Sequence, residues 1–166
     1  KVDVIFAGDG IHFDFPSYLT PESETKLVLI VSSSSAAKIL CDKLKNNYGY
    51  LPDAIVVEGP KAGGHLGFKV DQLENANFSL EEIVPEVLNI ASQYEAEKKI
   101  PVIVAGGISN GQDIRRFLEM GASGVQMGTI FVTTDECDAS LTFKETFVNA
   151  QKEDIKIIQS PVGMPG

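Results

Sequence analysis

The chain has 166 residues, 43% hydrophobic and 22% charged, with a formal net charge of −9 and a mean hydropathy near zero. These are the proportions of a soluble globular domain, and no basic stripe is offered to neutralise phosphates, which argues against nucleic-acid binding. No apolar run approaches the ~20 residues that cross a bilayer, and no stretch reads as a signal peptide, so a cytoplasmic protein with no membrane association is expected.

Apolar runs of strand length at residues 2–7, 27–31, 54–57, 102–105 and 124–127 alternate with longer stretches of helical period. This rhythm predicts βα units around a parallel sheet, and the near-continuous apolar character of the runs suits strands covered on both faces. Ser34 or Ser35 is expected to cap a helix through Ala36, Ile39, Leu40 and Leu44 that stops near Asn46, Asn47 and Gly49. Ser79, followed by Glu81 and Glu82, resembles a capping box and opens a helix with Ile83, Val87, Leu88 and Ala91. Asn110 begins another, with Ile114, Phe117 and Leu118 on one face and Gly121 at its end. A last helix is expected to carry Leu141, Phe143, Phe147 and Val148. Five such units allow a doubly wound open sheet or part of an eight-stranded barrel. Cys41 and Cys137 lie far apart and in no metal-ligand spacing, so free thiols and no metal site are expected. The chain opens on Lys1 with strand-like sequence and closes in loop-like Ser160-Pro161-Val162-Gly163-Met164-Pro165-Gly166, which suggests a piece of a longer chain.

Chemistry concentrates where strands end. Glu58-Gly59-Pro60-Lys61-Ala62-Gly63-Gly64-His65-Leu66-Gly67 follows the third run. Paired glycines let backbone approach a ligand closely, and an imidazole, with an ordinary pKa of ~6.5, serves as a general base near neutral pH. Ala105-Gly106-Gly107-Ile108 follows the fourth run and leads into a helix start, an arrangement suited to phosphate. Gly124-Val125-Gln126-Met127-Gly128-Thr129 repeats the pattern in the next unit. Loops after the last two strands of a barrel commonly bind phosphate together, so the pair reads as a site for a phosphate-bearing cofactor.

In this order the three motifs resemble the nitronate monooxygenase family, formerly called 2-nitropropane dioxygenases, which is related to the flavin-type enoyl-acyl carrier protein reductases. The likeness runs from Val2-Asp3-Val4-Ile5 to Ser160-Pro161-Val162-Gly163. It implies an FMN-dependent (β/α)8 TIM barrel, of which residues 1–166 form a single partial domain holding roughly the last five strands. The resemblance implies that His65 is the catalytic base and that Glu58, where relatives often carry glutamine, lies near the flavin ring. It also implies that Gly63 packs against FMN, and that Gly106 and Gly107 cradle its phosphate with Gln126, Met127, Gly128 and Thr129. The implied reaction is oxidation of a small-molecule nitronate, with O2 reoxidising the flavin. Reduction of unsaturated acyl thioesters is the alternative.

Two further positions depart from the family pattern. Ile130 stands where many relatives have arginine, and Asp9 where a small apolar residue is usual. His12 is a second polar candidate at the barrel mouth, Lys61 a candidate partner for an anionic substrate, and Ser32 to Ser35 candidates for ligand contact. A partial barrel exposes sheet edges and is expected to self-associate or to pair with a complementing half. Because family flavin contacts also come from that half, these 166 residues alone are expected to retain little or no FMN. Flavin absorbance per mole of purified protein checks this, and a stoichiometric yellow protein would overturn it.

Overall fold

A computed structural model describes every residue except 1, 9–12, 21 and 162, so the candidates Asp9 and His12 lie outside the described residues. Among the described residues five strands form one sheet: β1 (Val4–Ala7), β2 (Lys26–Val31), β3 (Ala54–Glu58), β4 (Val102–Ala105) and β5 (Gly124–Gln126). All pairings are parallel, and the spatial order β1-β2-β3-β4-β5 is the order in sequence. The helices are α1 (Ser34–Tyr48), α2 (Leu80–Ser92), α3 (Gly111–Glu119), the short α4 (Thr129–Val132) and α5 (Leu141–Asn149).

This order decides between the two architectures. A doubly wound sheet reverses direction at a switch point and carries helices on both faces. Here the order never reverses. Leu27, Leu29, Val31, Ile55, Val57, Val102 and Val104 share one core with residues of α1, α2 and α3, including Leu40, Leu44, Val84, Val87 and Phe117. Val28, Ala54, Val56 and Ala105 point the other way and form a separate small cluster with Ile30 and Ile103, to which no helix contributes. A parallel sheet with helices on one face is the wall of a (β/α)8 barrel, its second cluster belonging to the barrel interior. Phe6 and Val4, on that inner face by register, are 54% and 41% exposed.

The helix ends show local sequence at work. Ser33, rather than Ser34 or Ser35, caps α1 by accepting from the Ala36 amide, because only Ser33 has the extended backbone a cap requires. Gly49 ends α1 in the left-handed region at φ 61°. Ser79 does precede α2, but its hydroxyl accepts no capping bond, so the capping box does not form; its carbonyl takes the Glu82 and Ile83 amides instead. Asn110 caps α3 by accepting from Gln112 and Asp113, and Gly121 follows at φ 107°. Phe117 is buried and Ile114 partly so, whereas Leu118 is 45% exposed, one residue off the apolar stripe. On α5, Leu141, Phe143, Phe147 and Val148 all remain exposed, although the Phe143 and Phe147 rings touch at 5.1 Å. No described helix is long and apolar enough to cross a membrane.

Both cysteines are free; burial, followed by the charge of Asp42, pushes the Cys41 thiol up to about 11, which keeps it unreactive at neutral pH. The N-terminal ends of the strands are held by a polar knot around Asp53. Its carboxylate accepts from the Leu27 amide at 2.8 Å, the Tyr50 hydroxyl at 2.5 Å and the Lys98 ammonium at 2.8 Å. Burial alone raises the Asp53 carboxyl, but bonds from Lys98, Tyr50 and Leu27 outweigh it and leave the group below its ordinary range. A carboxyl lowered on folding contributes stability above its unfolded pKa of ~3.9, and that contribution is lost as pH falls through the folded value. Asp53→Asn is therefore expected to cost about 1–3 kcal/mol at pH 7, with the difference shrinking at pH 3. Urea unfolding at both pH values measures it, and an equal deficit at both would contradict the assignment.

Candidate functional site

The strand register brings the candidate loops together. Glu58 pairs with Ala105 and Ala105 with Gln126, so β3, β4 and β5 end in one row across the sheet. Side chains in a parallel row face the same way, which sets Glu58 and Gln126 on the inner face, flanking the methyl of Ala105. Glu58 is half-buried there, and burial raises its carboxyl pKa. Met127, one residue on, packs toward the helix-side core, so only its backbone is turned to the loops.

The first two loops are in direct contact. The Gly59 amide donates to Ala105 O at 3.0 Å, and the Ala62 amide turns back to Gly59 O at 3.1 Å. Gly106 and Gly107 follow at φ 98° and 74°, a conformation side chains rarely adopt. A methyl at Gly106 would lie 3.0 Å from Ala62 N and 3.1 Å from Gly59 O, and one at Gly107 would lie 2.9 Å from Lys61 Cβ. The double glycine is thus required twice, by its torsions and by the loop packed against it. Lys61 lays its stem along Gly107.

Past that contact the chain opens out. Nothing lies within 4 Å of a methyl built at Gly63, Gly64 or Gly128, and His65 and Thr129 are exposed. Leu66 and Phe68 then bury themselves at 3% and 5% exposure, with the Phe68 ring edge-on to Phe78. Gly67 packs so closely on Ser32 that a methyl would not fit, so of the four serines after β2, Ser32 buttresses this loop and Ser33 caps α1.

One expectation changes. The first turn of α3 does not offer its amides to a phosphate, because Asn110 occupies those of Gln112 and Asp113, and the Asp113 carboxylate accepts from Ser109 N at 3.2 Å. A carboxylate at that helix start repels an anion. An anion here is left to the backbone at Gly106 and Gly107 and to the loop after β5.

Two cavities border the loops. One of about 330 Å³ lies behind the double glycine, lined by Pro60, Lys61, Ser79, Gly106, Gly107 and Arg116 among others. The second, about 640 Å³, lies beside Gly128, Phe131 and Cys137. His65 lines neither. Among the described residues no cluster of ligating side chains could hold a metal ion.

The architecture defines a class: a run of βα units from a (β/α)8 barrel whose glycine-rich loops converge at the carboxyl ends of its strands. The sequence model for nitronate monooxygenase matches residues 1–166, and the chain belongs to that family. It is 35% identical over 109 residues to a probable nitronate monooxygenase of Staphylococcus aureus (strain Newman), covering 65% of this chain and 29% of that protein. FabK from Thermotoga maritima superposes with a TM-score of 0.69 at 29% identity over 98% of this chain and 44% of FabK. A nitroalkane oxidase from Streptomyces ansochromogenes gives 0.56 at 28% identity, over 74% of this chain and 32% of that one. The chain thus spans under a third of the curated relative and under half of either solved structure.

Sequence reading pointed to the glycines and the histidine but not to the contacts around them: Ser32 beneath Gly67, and a hairpin of residues 158–161 and 163–166 whose Pro165 carbonyl accepts from the Leu66 amide at 2.8 Å. Ile157-Ile158 before Ser160-Pro161 and Gly163 was a readable hairpin signal. Gly106→Ala is expected to cost about 1–3 kcal/mol from strained torsions alone. Gly63→Ala, in open space, should stay within about 0.5 kcal/mol of the parent. Denaturant unfolding of the pair tests this; equal values would refute the packing described.

Proposed function

We propose that this chain supplies the cofactor- and substrate-facing loops of an FMN-dependent oxidoreductase that oxidises alkyl nitronates with O2, residues 1–166 being part of one barrel domain. The observation that carries the reading is the row Glu58–Ala105–Gln126, from which the three glycine loops leave side by side. Family membership supports it.

The residues fit a flavin mononucleotide. Open space at Gly63, Gly64 and Gly128 admits a flat ring system and a phosphate at backbone distance, and the paired positive torsions at Gly106 and Gly107 fit a backbone anion cradle. On this reading Gly106, Gly107, Gly128 and the Thr129 hydroxyl hold the phosphate. Gln126 and Met127 contribute beside them, Met127 through its backbone. When bound, the flavin supplies the redox chemistry. The chain's own residues bind, orient and move protons. Burial raises the Glu58 carboxyl pKa, and the side chain stands on the inner face where relatives often carry glutamine. Gly63 permits close approach of the ring, and His65, exposed at the loop's crest, takes or returns the substrate proton.

Reduction of an unsaturated acyl thioester is the second reading, favoured by the superposition on FabK over 98% of the chain. Oxygen uptake with an alkyl nitronate, set against nicotinamide-driven reduction of crotonyl thioester, separates the two. Nitronate oxidation is expected, and thioester turnover without it would sink the proposal. In the flavin-loaded complete barrel, His65→Asn should lose ~10²–10⁴-fold in kcat with flavin content unchanged. Undiminished turnover would remove His65 from the mechanism.

A further inference from the structure

The loop carrying His65 has little regular structure. No helix or strand intervenes between Glu58 and Val70, and positions 59, 63, 64 and 67 carry no side chain. Gly64 lies at φ 86°, and glycine torsions are the least restricted in the chain. Yet a general base must be held in place, since an error of about 1 Å costs on the order of 10²-fold in rate.

Beyond the burial of Leu66 and the packing of Gly67 on Ser32, a further constraint comes from about a hundred residues downstream. Residues 158–161 and 163–166 pair as an antiparallel hairpin in which Ile158 and Gly166 exchange both backbone bonds at 2.9 Å, with Gln159 opposite Pro165. Ser160 closes it: its amide donates to Met164 O at 2.9 Å, its hydroxyl accepts from Met164 N at 3.3 Å, and its carbonyl accepts from Gly163 N at 2.8 Å. Gly163, at φ 83°, sits at the turn. The far edge of this hairpin meets the loop on either side of the histidine. Pro165 O takes the Leu66 amide, and Gly166 approaches Gly64 so nearly that a methyl there would lie 3.0 Å from the Gly64 carbonyl. Both chain neighbours of His65 are thereby held while its side chain stays exposed.

We propose that this hairpin is the positioning element of the His65 loop, acting through the Pro165 carbonyl and the close backbone approach of Gly166 to Gly64. This rests on His65 being the base, and it assigns the hairpin a share of the rate rather than of cofactor binding. Proline at 165 suits the role: with no amide of its own, it presents only an acceptor to the loop. Glycine at 166 suits it too, since any side chain would push the Gly64 carbonyl away.

The test uses the flavin-loaded enzyme, with these residues in the complete barrel, and two variants that attack the hairpin from opposite ends. Gly166→Val presses on Gly64 directly, while Gly163→Val strains the turn without touching the loop. Amide exchange at Leu66, the His65 ring resonances (assigned against His65→Asn), flavin content, kcat and KM are measured for each. In both variants the expected result is Leu66 exchange at least ~10-fold faster, a shifted His65 ring signal, and kcat lower by ~10–100-fold with KM within about threefold and flavin content unchanged. Leu66 exchange and ring signals unchanged in a folded Gly163→Val protein would overturn the proposal. So would faster exchange with kcat intact. Absence of both nitronate and thioester turnover in the parent would count against the functional reading alone, since exchange and ring signals still report whether the hairpin sets the histidine.

Discussion

Everything at the upper rim of this molecule depends on strand register. Because β3, β4 and β5 pair in parallel with Glu58, Ala105 and Gln126 in one row, their loops begin at the same height and on the same side of the sheet. Parallel pairing repeats side-chain direction from strand to strand, so a slip of one residue would turn Glu58 into the helix-side core and withdraw Gln126 from the inner face. The apolar pattern forbids such a slip. Val57 and Val104, fully buried against the helices, would have to exchange places with Glu58 and Ala105.

The two ends of the sheet are built from different materials. At the amino ends, charged and hydroxyl side chains do the joining: Asp53 gathers Leu27, Tyr50 and Lys98, and Asp42 accepts from Tyr94 at 2.5 Å and Lys38 at 2.8 Å. At the carboxyl ends the contacts are made by backbone and by absent side chains, as where Gly106 fits against Gly59 and Ala62. Such a division leaves the glycine loops open to a ligand, although Asn110 and Asp113 still take up the amides at the start of α3.

That division also explains what could be read from the sequence. The five apolar runs and the three helices between them were legible because burial on the helix side imposes a period, and Asn110, Gly49 and Gly121 punctuate it with torsional requirements of their own. The barrel itself was not legible from periodicity, since strand order is a property of pairing rather than of any one segment; the motifs' family resemblance pointed to it. Leu118 and the cap of α1 were misread by a residue because several equivalent side chains stood in a row. The blocked start of α3 was misread for a different reason. Asn110 was seen as a cap, but the cap itself takes the very amides considered for a phosphate, and Asp113 adds a carboxylate that takes the Ser109 amide. The apolar residues of α5 were visible as a helix, and their exposure was not, because amphipathic pattern reports a face without saying what lies against it.

The loop of His65 joins these threads. A site meant to admit a flat cofactor must shed side chains, and shedding them removes the packing that normally fixes a backbone. Rigidity then has to be supplied from outside the segment. It enters at the start of the loop from the sheet, through the Gly59 amide on Ala105, and again after the histidine from the hairpin of residues 158–161 and 163–166, through the Leu66 amide on Pro165. Between those two bonds the glycines keep their openness, and Leu66 and Phe68 carry the chain back into the core. The first pin belongs to the parallel register and comes with the fold. The second is a long-range contact between backbones, made where Pro165 and Gly166 offer a carbonyl and a bare Cα. It leaves no mark on the local sequence of the loop it holds.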